Sequence, residues 1–538
     1  MDRKLGVMLD CSRNAVMSVS GLKRFIGLLA KMGYNRFMLY TEDTYEIESE
    51  PLFGYMRGRY SGTELKEIDA FCSSLGVELI PCIQTLAHLN QIFTWGYFST
   101  VRDINDILLV DEDKTYELID KMFESCAKNF TARKIHIGMD EAHKLGLGKY
   151  LDKHGFCNRY DILIKHLNKV CEIASKYGFE PMMWSDMFFS LAFDGKYYVF
   201  GDEEIPQEIK NLVPKNVELV YWDYYTNTEE NYSSMIKKHL SFNRNVSFAG
   251  GAWTWEQFTP RNNLSIMRTE QAMRALNKHG VKDILMTIWG DNGSECPAYA
   301  VLPTLFYTAE CIKGNFDIDV IKQKFFELVG VPWDDFMSLD MYLSDDLKKS
   351  YARANGIKTM FYSDPFVGRY DSTVTGTGVE NKEIKKFVEI FTTAKNRAGE
   401  YSYIFDSYAK LADFMSIKYD LGFRTRAIYQ SCDKAKLSAI ISDYDLAIQK
   451  LNDFYTAFKN MWFENNKAFG FEITDIRIGG LKQRLNYAKN KLMSYINGEI
   501  SVIEELELKL VDCYGGSEMK KHILECYPYS SSASVNRL

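Results

Sequence analysis

Histidine is scarce: the chain has 8 in 538 residues, and no two stand as H-x-H. That leaves little from which to build a metal centre of paired imidazoles. The 11 cysteines are odd in number, run from Cys11 to Cys526 and include no C-x-x-C. They exclude a disulfide frame or zinc knuckle and read as small buried hydrophobes in a reducing compartment. No window of about 18 uncharged apolar residues is present, which excludes a transmembrane helix. The apolar run ahead of Asp10 is too short for a signal-peptide core, so the chain is expected in the cytoplasm. Charge excess is missing too: 65 basic against 72 acidic residues leave −7, no basis for a nucleic-acid partner. No G-x-G-x-x-G follows the first apolar run, which counts against dinucleotide binding.

What is present is alternation. Strand-like apolar runs stand at 5–10, 36–40, 77–83, 134–138, 180–186, 217–223, 246–253 and 283–289. Between them lie segments such as "SGLKRFIGLLAKMG", whose apolar residues recur at three and four and close on a glycine, the helix stop signal. Near-continuous apolar strands separated by helices indicate a parallel sheet covered on both faces. Eight such units in about 300 residues predict an α/β fold, a (β/α)8 TIM barrel over 1–315. From 316 to 538 the strand runs fade and long amphipathic segments predict a C-terminal all-helical domain. Those stripes fit either an intramolecular core or a homodimer interface. A glycine- and threonine-rich loop is expected at 362–381, and the tail "YPYSSSASVNRL" is expected to be disordered.

A barrel of this kind does its chemistry at the carboxyl ends of its strands. Polar and aromatic residues gather there on every strand. Strand one gives Asp10 and Arg13, strand two Glu42 and Asp43, strand three His88, and strand four Asp140 and Glu141. Strand five gives Trp184 and Asp186; strand six gives Trp222, Asp223, Tyr224 and Tyr225; strand seven gives Trp253 and Trp255; strand eight gives Trp289 and Asp291. Singly, each has a structural explanation as a cap, a core ring or a satisfied buried group. Together, aromatic faces that stack on pyranose C–H faces, with carboxylates and arginine for hydroxyls, describe a sugar pocket.

The ordered set resembles glycoside hydrolase family 20, the β-N-acetylhexosaminidases. The family's H-x-G-x-D-E strand end stands here as "HIGMDE", His136 through Glu141. Arg13 matches its arginine after strand one, "TED" its acidic pair, His88 its histidine after strand three, and "WGD" its W-x-D/E on strand eight. The resemblance covers roughly residues 5–315. It departs in three places. The small α/β domain that many members carry ahead of the barrel is expected to be absent. Glu42 stands where aspartate is usual. The tyrosine for the acetamido group usually follows strand seven, so Tyr224 or Tyr225 after strand six would fill that role.

The resemblance implies an exo-acting, retaining enzyme that removes terminal GlcNAc or GalNAc from glycans or glycoconjugates, with no cofactor. Glu141 would protonate the leaving oxygen, and Asp140 would hold the acetamido N–H and balance an oxazolinium ion. Repulsion from Asp140 is expected to raise the pKa of Glu141, and His88, oriented by Glu42, to tune it further. Arg13 and Asp291 would bind ring hydroxyls, while Trp184, Trp253 and Trp289 would enclose the sugar. Two rival readings remain open. His136, Asp140 and His143 can be drawn as ligands of a metal-dependent barrel hydrolase, which chelation would silence. A non-catalytic amino-sugar-binding protein would keep the pocket and release no product.

Overall fold

A computed structural model describes residues 3–351, 353–513 and 528–536. Its centre is a closed eight-stranded parallel barrel in sequence order. The strands are β1 Lys4–Asp10, β2 Arg36–Tyr40, β3 Glu78–Cys82, β4 Lys134–His136, β5 Glu180–Trp184, β6 Glu218–Trp222, β7 Val246–Gly251 and β8 Asp283–Ile288. All but the first residue of β1 lie within the runs read from the sequence. Closure is direct: Gly6 of β1 pairs with Arg36 of β2 on one side and with Leu285 of β8 on the other.

The strands read as continuous apolar runs because both of their faces are buried. Neighbouring residues alternate between two cores. Met8, Met38, Tyr40, Ile80, Cys82, Met182, Trp184, Val220, Ala249 and Leu285 fill the barrel interior. Val7, Phe37, Leu39, Leu79, Ile135 and Leu219 face outward into the layer beneath the helices. Burying each such side chain contributes about 1.5–3 kcal/mol. Phe37, 1% exposed and edge-on to Phe25, is a position where truncation to alanine costs about 3–5 kcal/mol.

The helices begin and end where the sequence signals them. In Val19–Met32 the Ser18 side chain accepts from the Gly21 N–H, and Gly33 closes the helix at φ 106°. Gly62–Ser74 opens with a reciprocal capping box between Ser61 and Glu64. At the amino end of the barrel, Arg36 is buried between Glu78 and Asp283, and Lys134 pairs with Glu218. The Arg36–Glu78 pair joins neighbouring strands, whereas Arg36–Asp283 reaches across β1 and Lys134–Glu218 across β5, all on the face remote from the chemistry.

Beyond the barrel the described chain is helical. Its long members are Val379–Arg397, Ser402–Lys418, Lys434–Asn465 and Phe471–Ile496. The first two are separated by a break at 398–401. The fold-back packs Phe391 against Tyr408. This region is stitched to the loop after β1, where the Ser18 N–H donates to Asn465 O and the Lys467 N–H to Val16 O. Gly21 permits that approach, since a Cβ there would come within 2.6 Å of Asn465 O. The tail departs from expectation. Tyr529–Ala533 forms a turn of helix, and the Tyr529 ring packs edge-on to Tyr362; Tyr527, Arg537 and Leu538 lie outside the described residues. Among the described residues no helix is long and apolar enough to cross a membrane.

Candidate active site

The carboxyl ends of the strands enclose a cavity of about 240 Å³. Arg13, Tyr40, His88, Asp140, Glu141, Trp184, Trp222, Tyr224, Tyr225, Trp255, Glu256, Trp289 and Asp291 line it. Eleven of the strand-end residues read from the sequence are therefore brought together: Arg13, His88, Asp140, Glu141, Trp184, Trp222, Tyr224, Tyr225, Trp255, Trp289 and Asp291.

The carboxylate pair owes its position to a distorted backbone. After β4 the chain passes through Gly138, Met139 and Glu141 at φ 71°, 69° and 52°. Left-handed conformations at non-glycine residues are costly and persist only when surrounding contacts hold them. Gln84 supplies such contacts. Its Oε1 accepts the Met139 N–H at 3.3 Å, and its Nε2 donates to Asp140 Oδ1 and to the Tyr40 hydroxyl, both at 2.9 Å. Gly138 has to be glycine, because a Cβ there would collide with the Gln84 amide. From the other side, Asp186 Oδ2 accepts the Glu141 N–H at 2.9 Å.

His88, itself at φ 59°, reaches both acids. Its Nε2 lies 3.2 Å from Asp140 Oδ2 and 3.7 Å from Glu141 Oε2. Burial opposes a charge on His88, but the adjacent Asp140 carboxylate outweighs it and raises the imidazole to about 10. Burial would likewise favour protonated Asp140, yet His88 and the Gln84 amide hold its pKa below the usual carboxylate range. Glu141 moves the opposite way. Half of its side chain faces the open cavity, but the surrounding walls raise its pKa, and the Asp140 charge adds to the effect. Desolvation is thus the larger cause and repulsion between neighbours the smaller.

Arg13 organises the opposite wall. Its guanidinium lies over the Tyr40 and Trp289 rings and contacts Glu42 at 3.1 Å, Asp10 at 3.4 Å and Asp291 at 3.5 Å. Asp10 also accepts the Gly290 N–H at 2.9 Å, which pins the end of β8 to the end of β1. Glu42 corrects one expectation: it pairs with Arg13 and the Tyr40 hydroxyl, so it orients the arginine and not His88. Burial pushes Glu42 up to about 7 even against Arg13.

Aromatic rings close the remainder. Trp184, 1% exposed, forms the floor against His136, which is wholly buried behind the wall with its Nδ1 accepting the Gly138 N–H. Tyr224 stacks on Trp222 and meets Trp255 edge-on; Tyr225 stands at the mouth, 38% exposed. Trp253 is the second correction. It lies outside the cavity, stacked 4.0 Å behind Trp255, and Trp255 presents its ring to the space. The sequence reasoning missed Gln84, Tyr40 and Glu256. In the sequence Gln84 is only a polar residue closing an apolar run; its burial is a finding of the structure. The metal rival finds no geometry: among the described residues no three His, Cys, Asp or Glu side chains are grouped to hold an ion.

The glycosyl hydrolase family 20 catalytic domain matches residues 5–310, and the glycoside hydrolase 20C C-terminal domain matches 334–525. The chain belongs to glycoside hydrolase family 20. Human Hexosaminidase D is 25% identical over 222 residues, covering 39% of this chain and 43% of that protein. The Bos taurus Hexosaminidase D is 22% identical over 256 residues, covering 45% and 68%. The match thus spans less than half of the human relative. Among solved family 20 structures, the exo β-N-acetylglucosaminidase of Vibrio harveyi with N-acetylglucosamine is 19% identical. It aligns over 61% of this chain and 58% of its own with a TM-score of 0.45.

Proposed function

We propose that this family 20 chain is an exo-acting, retaining β-N-acetylhexosaminidase that removes terminal GlcNAc or GalNAc through substrate-assisted catalysis. The observation that carries the reading is the shared contact with His88. Asp140 and Glu141 meet the same imidazole nitrogen, yet one is held ionised and the other is pushed toward its protonated form. Divergent pKa values in adjacent acids mark a division of labour between proton donor and counter-charge.

Retention by two carboxyls ordinarily needs them about 5 Å apart, flanking the scissile bond. Consecutive residues that both face His88 are poorly placed for that arrangement, and substrate assistance removes the need. Glu141 donates its proton to the glycosidic oxygen as the C1–O bond breaks and the 2-acetamido oxygen attacks C1. Asp140 accepts the acetamido N–H and balances the positive oxazolinium ring. Water, deprotonated by Glu141, then opens the ring at C1, so configuration is retained. Tyr224, the more buried of the two tyrosines, donates to the acetamido oxygen. Arg13 and Asp291 bind ring hydroxyls, and Trp184, Trp255 and Trp289 enclose the ring. A cavity of about 240 Å³, small beside most ligand sites, suits one sugar and so exo action.

The names of the mammalian relatives support the same activity. The test is release of 4-nitrophenol from the β-N-acetylglucosaminide and galactosaminide, with and without chelator. The reading expects turnover that chelator leaves intact and that Glu141→Gln lowers. Binding of either sugar without turnover would favour a non-catalytic receptor, and loss on chelation a metal enzyme.

A further inference from the structure

The loop after β8 carries Asp291 to the cavity and then meets the helical region from three directions. Arg477, on Phe471–Ile496, donates to Asn292 O at 2.8 Å, to Asn292 Oδ1 at 3.3 Å and to Glu295 at 3.1 Å. Lys358, on Ile357–Tyr362, donates to Asn292 O at 2.8 Å and pairs with Glu295 at 2.6 Å. Tyr529 donates its N–H to Asn292 Oδ1 at 3.2 Å and lies beneath the Arg477 guanidinium. The Tyr362 hydroxyl completes the cluster with a 2.7 Å bond to Glu295.

This is more elaborate than packing two regions together requires. Lys358 and Glu295 are each 1% exposed at the side chain, and burying charges is worthwhile only where geometry and hydrogen bonds compensate. Asn292 is held at φ 62°, and Gly293 at φ 119° leaves room that a Cβ would deny to the Arg477 guanidinium. The strained backbone is thus fixed one residue from Asp291, whose carbonyl accepts the Glu256 N–H and whose carboxylate faces Arg13.

We propose that Lys358, Arg477 and Tyr529 of the helical region are positioning residues that set the Asp291 loop, and with it the hydroxyl-binding side of the pocket. The inference rests on the sugar-binding role of Asp291 given above. Loss of the clamp leaves Asp140, Glu141 and His88 in place, so substrate binding suffers and the chemical step does not.

The experiment measures KM and kcat on the chromogenic glucosaminide, and hydrogen exchange of residues 289–297, in Arg477→Met, Arg477→Lys, Tyr529→Ala and Asp291→Asn. Tyr529→Ala is the milder lesion should Arg477→Met fail to fold. The expected result is faster exchange in the loop, a KM raised at least tenfold with kcat within about threefold, and partial recovery in Arg477→Lys. Unchanged loop exchange overturns the proposal, as does an unchanged KM in the clamp variants when Asp291→Asn raises it. If Asp291→Asn itself leaves KM unchanged, the sugar-binding assignment has failed, and loop exchange alone decides whether the helical region sets the loop.

Discussion

His88 and Asp140 form the charge pair on which the site turns: 3.2 Å apart, each stabilises the ionised form of the other. With the imidazole raised to about 10, His88 stays positive through neutral pH and lowers both neighbouring acids.

Replacing His88 with glutamine removes that positive charge, so both carboxyls should rise in pKa. The proposed mechanism needs Asp140 ionised and Glu141 protonated, which would make them the acid and basic limbs of kcat/KM against pH. Both limbs are expected to move to higher pH in His88→Gln. A profile with unmoved limbs, or a downward shift, would contradict the charge assignment.

The two acids should fail differently. On the proposed mechanism Glu141→Gln removes the proton donor, an effect of about 10²–10⁴-fold. The loss should shrink as the aglycone becomes a better leaving group, since such a group needs no proton. On the proposed mechanism Asp140→Asn removes the counter-charge to an oxazolinium ion, at about 10²–10³-fold in kcat, and leaving-group quality should not rescue it. Rates across a series of substituted phenyl glycosides separate the two; parallel behaviour would merge the roles assigned here.

Trp255 and Trp253 stack on each other but only Trp255 reaches the cavity. Trp255→Ala should raise KM for the glucosaminide at least tenfold. Trp253→Ala should cost about 3–5 kcal/mol of stability in denaturant, as a buried ring deletion does. Trp253→Phe should keep KM near wild type. An unchanged KM in Trp255→Ala would return Trp253 to the sugar wall.

Asp186 is buried beside Asp140, and burial, reinforced by that charge, pushes it up to about 7. Its unfolded value is about 3.9, so the folded state binds the extra proton in between. This contribution to stability is whole below about pH 4 and is lost as pH rises through 7. In Asp186→Asn that decline is absent, so the variant should gain stability relative to wild type between pH 5 and 8. Unfolding free energies at the two pH values measure it, and a constant difference would refute it.

Much of this was legible because two periodic signals are strong. Strands buried on both faces carry few polar residues between their ends, so β1 through β8 stand out as apolar runs, and residues at or just past the end of each run line the cavity. The side chosen by each ring was not legible. Once β7 ends at Gly251 the chain leaves the two-residue alternation, and nothing in "AWTW" distinguishes Trp253 from Trp255. The partner of Glu42 depends on where Arg13 folds back from another strand, a relation that spacing does not encode. Gln84 lies in an ordinary strand end, and its importance comes from the φ values of a segment more than 50 residues later. The tail looked featureless because its anchors, Arg477 and Tyr362, lie far from it in sequence.

The most direct test compares 4-nitrophenyl N-acetyl-β-glucosaminide with the matched β-glucoside, which has a hydroxyl where the acetamido group would be. If the acetamido oxygen is the nucleophile, kcat/KM should fall by on the order of 10³-fold or more for the glucoside, because an oriented internal reactant has been deleted. Equal rates on the two substrates would contradict the mechanism.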